Sequence, residues 1–215
     1  MPAKSPKVAA LESRIRETYS LDAKDEQENA IEAINNLIVF CMNPRTRLNA
    51  MLQETAKLIH RFFEFKCMAI AMKDPEDGLF KYVFTMGYSP SVSAAYKEIK
   101  YTAMDVFDDK SYPSIKISKI ARFYMAEDKP YREGEEKCYN RPSLLTQLKR
   151  QNPDDLLEAD YMNFFMYGSM GEPIGWLECS DTRSGKLPKR ETVRWIEMIS
   201  AIISSIIVER GLDKK

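Results

Sequence analysis

Two stretches of this chain place apolar and polar residues in alternation around a turn cluster, and that period belongs to strands with one buried face. Residues 67–72 are almost wholly apolar and end at Asp74-Pro75-Glu76-Asp77-Gly78. Residues 79–86 then alternate, with Phe80, Tyr82, Phe84 and Met86 on one side and Lys81, Val83 and Thr85 on the other. The pattern returns at residues 161–167, where Tyr161, Asn163, Phe165 and Tyr167 share a side. After Gly168-Ser169-Met170-Gly171, Ile174, Trp176 and Glu178 oppose Gly175, Leu177 and Cys179. Strands joined by tight Gly-containing turns read as two hairpins, and hairpins build an antiparallel sheet.

Helical periods flank these hairpins. Val8, Leu11, Ile15 and Tyr19 recur at spacings of three and four after a lead-in rich in proline. Asp22 is placed to cap a helix whose apolar face is Ile31, Ile34 and Ile38. Asn43-Pro44 ends it and opens the next, which carries Leu48, Met51, Leu52, Thr55, Ile59, Phe62 and Phe63 on one stripe. Short elements are expected at residues 91–99 (helix), 114–118 (strand) and 143–150 (helix), with residues 122–142 irregular. Pro188 opens a last helix with two adjacent stripes, Val193, Ile196, Ile199, Ile203 and Ile206, then Trp195, Met198 and Ile202. The order predicts an α+β sandwich, with terminal helices on one face of a central antiparallel sheet of five or six strands. It divides into a lead-in over residues 1–20, a helical extension over 21–44 and a domain over 45–211.

The bulk numbers narrow the class of partner. Lys and Arg total 32 against 32 Asp and Glu, a balance that argues against nucleic acid or an anionic membrane face. The most apolar run, residues 198–208, is too short to span a bilayer and is broken by Ser200, Ser204 and Ser205. Without a secretory signal at the start, the expected location is the cytoplasm. Four scattered cysteines form no C-x-x-C pair, so neither a zinc site nor a disulfide framework is indicated.

Catalytic signatures are missing. The chain has no phosphate-binding Gly-rich loop, no H-E-x-x-H and no G-x-S-x-G. Its one histidine, His60, falls near a helix end and reads as a packing residue. Cys138 is the one thiol among charges, with Arg132, Lys137 and Arg141 favouring a thiolate and Glu133, Glu135 and Glu136 opposing it. Tyr82, Phe84, Tyr88, Phe123, Tyr124, Tyr131 and Phe165 supply apolar walls and hydroxyls for a cavity between sheet and irregular segment.

The segment GEPIGWLECSDTRSGKLPKRETVRWIEMISAIISSIIVER resembles the end of a GAF domain: a strand, a polar loop, then Leu-Pro opening a long helix. The resemblance extends over residues 48–210. It implies a sheet with helices on one face and a small-molecule pocket on the other. Members of that family bind cyclic nucleotides, tetrapyrroles or haem, or serve as dimerising modules. The residue series of the cyclic-nucleotide binders is not recognisable here, a cysteine linkage to a bilin or haem cannot be placed, and the cysteine cluster of the GAF-type methionine sulfoxide reductase is absent, so the cofactor stays unassigned. The expectation is a non-enzymatic sensory domain that binds a small molecule at Tyr82, Phe84, Tyr88, Phe123, Tyr124, Tyr131, Cys138 and Phe165. It would signal through a partner protein and pair as a homodimer through its terminal helices. The alternatives are a ligand-free dimerisation scaffold and a redox switch at Cys138.

Overall fold

The computed structural model describes residues 26–147 and 149–214. The expected first stripe from Val8 to Tyr19 and the Asp22 cap lie outside them.

Helices α1 (Glu26–Met42) and α2 (Leu48–Phe62) come first. Strands β1 (Phe65–Lys73) and β2 (Phe80–Met86) form the first hairpin. Helix α3 (Pro90–Glu98), strand β3 (Lys100–Tyr101), helix α4 (Ala103–Val106) and strands β4 (Ile115–Lys116) and β5 (Ala121–Tyr124) follow. Three 3₁₀ turns lead to the second hairpin, β6 (Tyr161–Tyr167) and β7 (Pro173–Thr182), and then to helix α5 (Arg190–Glu209). The strands pair antiparallel in the order β3-β2-β1-β7-β6-β5-β4. The sheet thus has seven strands rather than five or six, because β3 and β5 join the expected ones; the strand expected at residues 114–118 is β4, two residues long at one edge. Residues 122–142 are not wholly irregular: β5 begins there and pairs with β6.

One face of the sheet carries the helices. From α2, Met51, Leu52, Thr55, Ala56, Leu58 and Ile59 are buried, close to the stripe the period predicts. From α5, Val193, Ile196, Ile199, Ile203 and Ile206 are all buried, and the second stripe reaches the rim, with Met198 exposed. Two of the serines that interrupt α5 are ties to the sheet. Ser200 Oγ donates to the Phe164 carbonyl at 3.3 Å, and Ser204 Oγ to that of Tyr167 at 2.7 Å. Helix α1 packs on α2 and α5 through Ala30, Ile34, Leu37 and Cys41, so its buried face is turned away from Ile31, which is exposed. Asn43-Pro44 does not cap α2. It forms a turn, and Arg47 precedes the helix. Arg210, past the end of α5, donates to the carbonyls of Cys41 (2.6 Å), Pro44 (3.1 Å) and Thr46 (2.6 Å), joining the three helices.

Gly87 closes β2 at φ 82°, where a Cβ would stand 1.9 Å from the Lys66 carbonyl oxygen. Only glycine tolerates that approach.

Candidate functional site

The opposite face of the sheet is buried too, under α3, α4 and the segment from residue 107 to 140, and its chemistry is different. Tyr82 projects from β2, Ala69 and Ala71 from β1, Trp176 and Glu178 from β7, Tyr161, Asn163 and Phe165 from β6, and Tyr124 from β5. The cover returns Tyr96, Tyr101, Val106, Tyr112 and Cys138. The rings meet edge to face or tilted, as Tyr82 does with Tyr96 (centroids 4.7 Å apart) and with Trp176 (5.9 Å).

Glu178 sits at the centre, 5% exposed. Tyr82 donates to its Oε2 at 2.5 Å and Tyr96 to its Oε1 at 2.7 Å. Tyr96 has one proton, and the shorter contact to Glu178 takes it, leaving its oxygen 3.2 Å from Tyr88. Tyr88 and Ser180 continue the chain at 2.9 Å. Burial pushes the Glu178 carboxyl above its ordinary range, while the two tyrosine hydrogen bonds pull the other way. Among the described residues no Lys, Arg or His is bonded to it.

Two voids of about 30 Å³ each flank this carboxyl. A space of that size takes a water or two. One is lined by Tyr82, Tyr101, Tyr112, Asn163, Trp176 and Glu178, among others, and in it Asn163 Oδ1 and Trp176 Nε1 are buried without a hydrogen-bond partner. The other adds Pro130, Tyr131, Glu135, Cys138 and Tyr139 from the cover. Buried polar atoms are nearly always paired, so these atoms beside a carboxyl call for an occupant of the void, a water or a ligand group.

Of the expected cavity residues, Tyr82, Tyr131 and Cys138 line the voids, Tyr124 and Phe165 belong to the same buried face, and Tyr88 packs at its margin. Phe84 and Phe123 do not join them; both lie in the helix-side core. The reason for Phe123 is alternation, since its neighbour Tyr124 takes the other face. For Phe84 it is a bulge. Ala71 pairs with Tyr82 and Ile70 with Phe84, so Val83 is an extra residue that swings Phe84 to the helix side.

The thiolate at Cys138 that the redox alternative requires has no support in its surroundings. Arg132 is paired with Asp105 and Arg141 with Glu158. Burial pushes the Cys138 thiol up to about 12, and Glu178 and Glu135 add to the effect. His60 does pack at a helix end, its Nδ1 3.0 Å from the Phe65 carbonyl oxygen.

Glu178, Asn163 and Trp176 are the site residues that the alternation pattern placed on a common face without singling them out. The signal was a carboxylate and an amide on the inward side of two apolar strands.

A curled antiparallel sheet with terminal helices on one face and a covered aromatic face on the other is a GAF-like α+β fold. Solved structures place the chain on that fold. It is similar to the GAF domain/HD domain protein from Geobacter sulfurreducens, with 10% identity and a TM-score of 0.54 over 81% of this chain and 98% of that one. It is similar to the GAF domain of A. aeolicus nlh2 in an inactive state, with 11% identity and a TM-score of 0.53 over 89% and 100%. The GAF domain of the Acinetobacter phosphoenolpyruvate-protein phosphotransferase superposes over 85% and 95%, with 9% identity and a TM-score of 0.51. At such identities the likeness is one of fold. No family model matches the sequence, and no curated protein does. No described helix is long and apolar enough to cross a membrane.

Proposed function

We propose that this protein is a non-catalytic regulatory domain that binds a small molecule in the chamber around Glu178 and passes the change to a partner protein. The observation that carries this reading is Asn163 Oδ1, a buried polar atom without a partner, beside a buried carboxyl toward which the Trp176 N–H also leans, in an aromatic surround. Apolar walls with a few convergent polar groups are what a ligand site requires. The voids are far smaller than an ordinary ligand pocket, so a ligand of several atoms enters only when the cover lifts. Helix α3 packs on both β2 and the turn at Glu135–Cys138, so lifting the cover moves these parts together. A ligand that binds the lifted state better shifts the population toward it, and that difference is the signal.

The test is a thermal-shift screen of small polar compounds, followed by the same screen on Trp176→Phe. Compounds that stabilise the parent protein and lose that effect in the variant support the reading. A screen in which none stabilises it counts against it.

A second reading, a dimerisation scaffold, is favoured by the apolar residues that α1 exposes, Ile31, Val39, Phe40 and Met42, beside a groove of about 590 Å³ between α1 and α2. Homodimerisation through these helices predicts that Val39→Glu lowers the mass measured by light scattering. An unchanged mass sinks it.

A further inference from the structure

We infer that the chamber receives a compact primary ammonium group, with Glu178 as its counter-ion and Asn163 Oδ1 as a second acceptor. This rests on the reading of the chamber as a ligand site and names the chemistry of its occupant.

Three observations converge on positive charge. The first is the count of acidic against basic groups. Glu178 and Glu135 both line the second void and, among the described residues, no Lys or Arg does. Glu135 accepts from the Tyr112 hydroxyl and the Arg132 backbone N–H, and the Arg132 guanidinium is committed to Asp105 and lies over the ring of Tyr112 at 5.2 Å. The second is the orphaned acceptor. Asn163 is 7% exposed and its Oδ1 calls for a donor, which an ammonium N–H supplies. The third is the wall. Tyr82, Tyr101, Tyr112, Tyr161 and Trp176 surround the carboxyl, and a desolvated cation is attracted to such rings by their quadrupoles. An anion would meet two carboxyls here. A neutral apolar molecule would leave Asn163 Oδ1 unpaired. Trp176 Nε1 is a donor that leans toward the Glu178 carboxyl without reaching full hydrogen-bond geometry, and a hydroxyl on the same molecule or a water can complete it.

The test compares three molecules of like size: ethanolamine, ethylene glycol and glycolate, which are cationic, neutral and anionic. They are titrated into the full chain in phosphate buffer free of amines, at constant ionic strength. Trp195→Phe leaves Trp176 as the one tryptophan whose fluorescence is followed. Ethanolamine is expected to shift the Trp176 emission saturably and to raise the melting temperature. Glu178→Gln, which keeps an acceptor for the tyrosines, should weaken it roughly thirtyfold or more. Asn163→Leu removes the orphan at similar volume and should weaken ethanolamine while melting at or above the parent temperature, so loss of binding is not loss of fold. An equal response to ethylene glycol or glycolate overturns the assignment of charge and leaves the ligand site standing. No response to ethanolamine, while compounds of another class from the thermal-shift screen shift Trp176, does the same. If no compound of any class shifts Trp176, both the ammonium assignment and the ligand site fall.

Discussion

Tyr82 reaches across a whole strand to hydrogen-bond Glu178. The two residues stand on β2 and β7, with β1 between them, and their oxygens are 2.5 Å apart. The space is open because β1 presents only Ala69 and Ala71 on that face. Removing the hydroxyl with Tyr82→Phe leaves the ring packed and the carboxyl with one donor fewer. The expected cost is about 2 kcal/mol, the worth of a hydrogen bond to a charged or nearly charged group. Urea denaturation measures it, and a double-mutant cycle with Glu178→Gln should show that most of the loss disappears when the carboxyl is already gone.

A larger residue on β1 should close that route. Ala71 pairs with Tyr82 on one side and Trp176 on the other. Ala71→Leu adds bulk at a fully buried position between those two rings and is expected to cost about 1–3 kcal/mol. It should also displace the Trp176 ring, visible as a shifted near-ultraviolet circular dichroism band in an otherwise folded protein.

Glu178 gives stability a definite pH dependence. Its carboxyl is raised in the folded state, mainly by burial, above an unfolded value of about 4.3. A raised carboxyl contributes stability that is whole below the unfolded value and is lost as pH rises through the folded one. The groups facing it are Tyr82 from β2, Tyr96 from α3, Tyr101 from β3, Tyr161 from β6, and Glu135, Cys138 and Tyr139 from the cover. These tyrosines and the thiol are all pushed upward and stay neutral through this range, so Glu135 is the other carboxyl to account for. Glu178→Gln should therefore gain stability relative to the parent between pH 4 and 8 in amine-free buffer. A stability difference independent of pH would contradict the assignment.

Cys138 should be inert in the native protein. With its thiol near 12, the thiolate fraction at pH 8 is about a thousandfold below that of a thiol near 9. Iodoacetamide alkylation of Cys138, followed by mass spectrometry, should proceed only as fast as the chain opens. Rapid labelling at pH 8 in the folded state would restore the redox switch.

Arg150 ties down the far end of the cover. Its guanidinium bonds both oxygens of the buried Asp160 at 2.9 Å and both of Glu127 at 2.9 Å, and also donates to the Asp155 carbonyl. Asp160 in turn accepts from the backbone N–H groups of Ala126 and Leu157. Arg150→Ala strands a buried carboxylate and is expected to cost about 3 kcal/mol. Arg150→Lys should recover only part of it, since a single ammonium cannot match the planar fork. Denaturant midpoints of the three proteins check both statements.

The elements were legible where period and punctuation agreed. Both hairpins, α2 and the buried stripe of α5 follow from alternation, turn residues and helical spacing, each a local property of the chain. Strand β5 was hidden because Ala-Arg-Phe-Tyr is too short to show a period and is held in place by β6. The two-residue strand β3 was obscure for the same reason, while β4 falls inside the strand expected at residues 114–118. Of the site, the aromatic supply was plain; Asn163 and Glu178 were placed in alternating strands, but which side of each strand faces the chamber is decided by the packing.

Sequence by itself determined the alternation that makes an antiparallel sheet and the helical stripes that cover one side of it. It also determined the balance of charge, 32 basic against 32 acidic residues. Tertiary structure alone decided which aromatics share the chamber. A bulge at Val83 sends Phe84 to the helix side, and the pairing of β2, β1 and β7 brings Tyr82 to Glu178 across 96 residues of chain. Register between distant strands depends on which partners meet, and no local period encodes that.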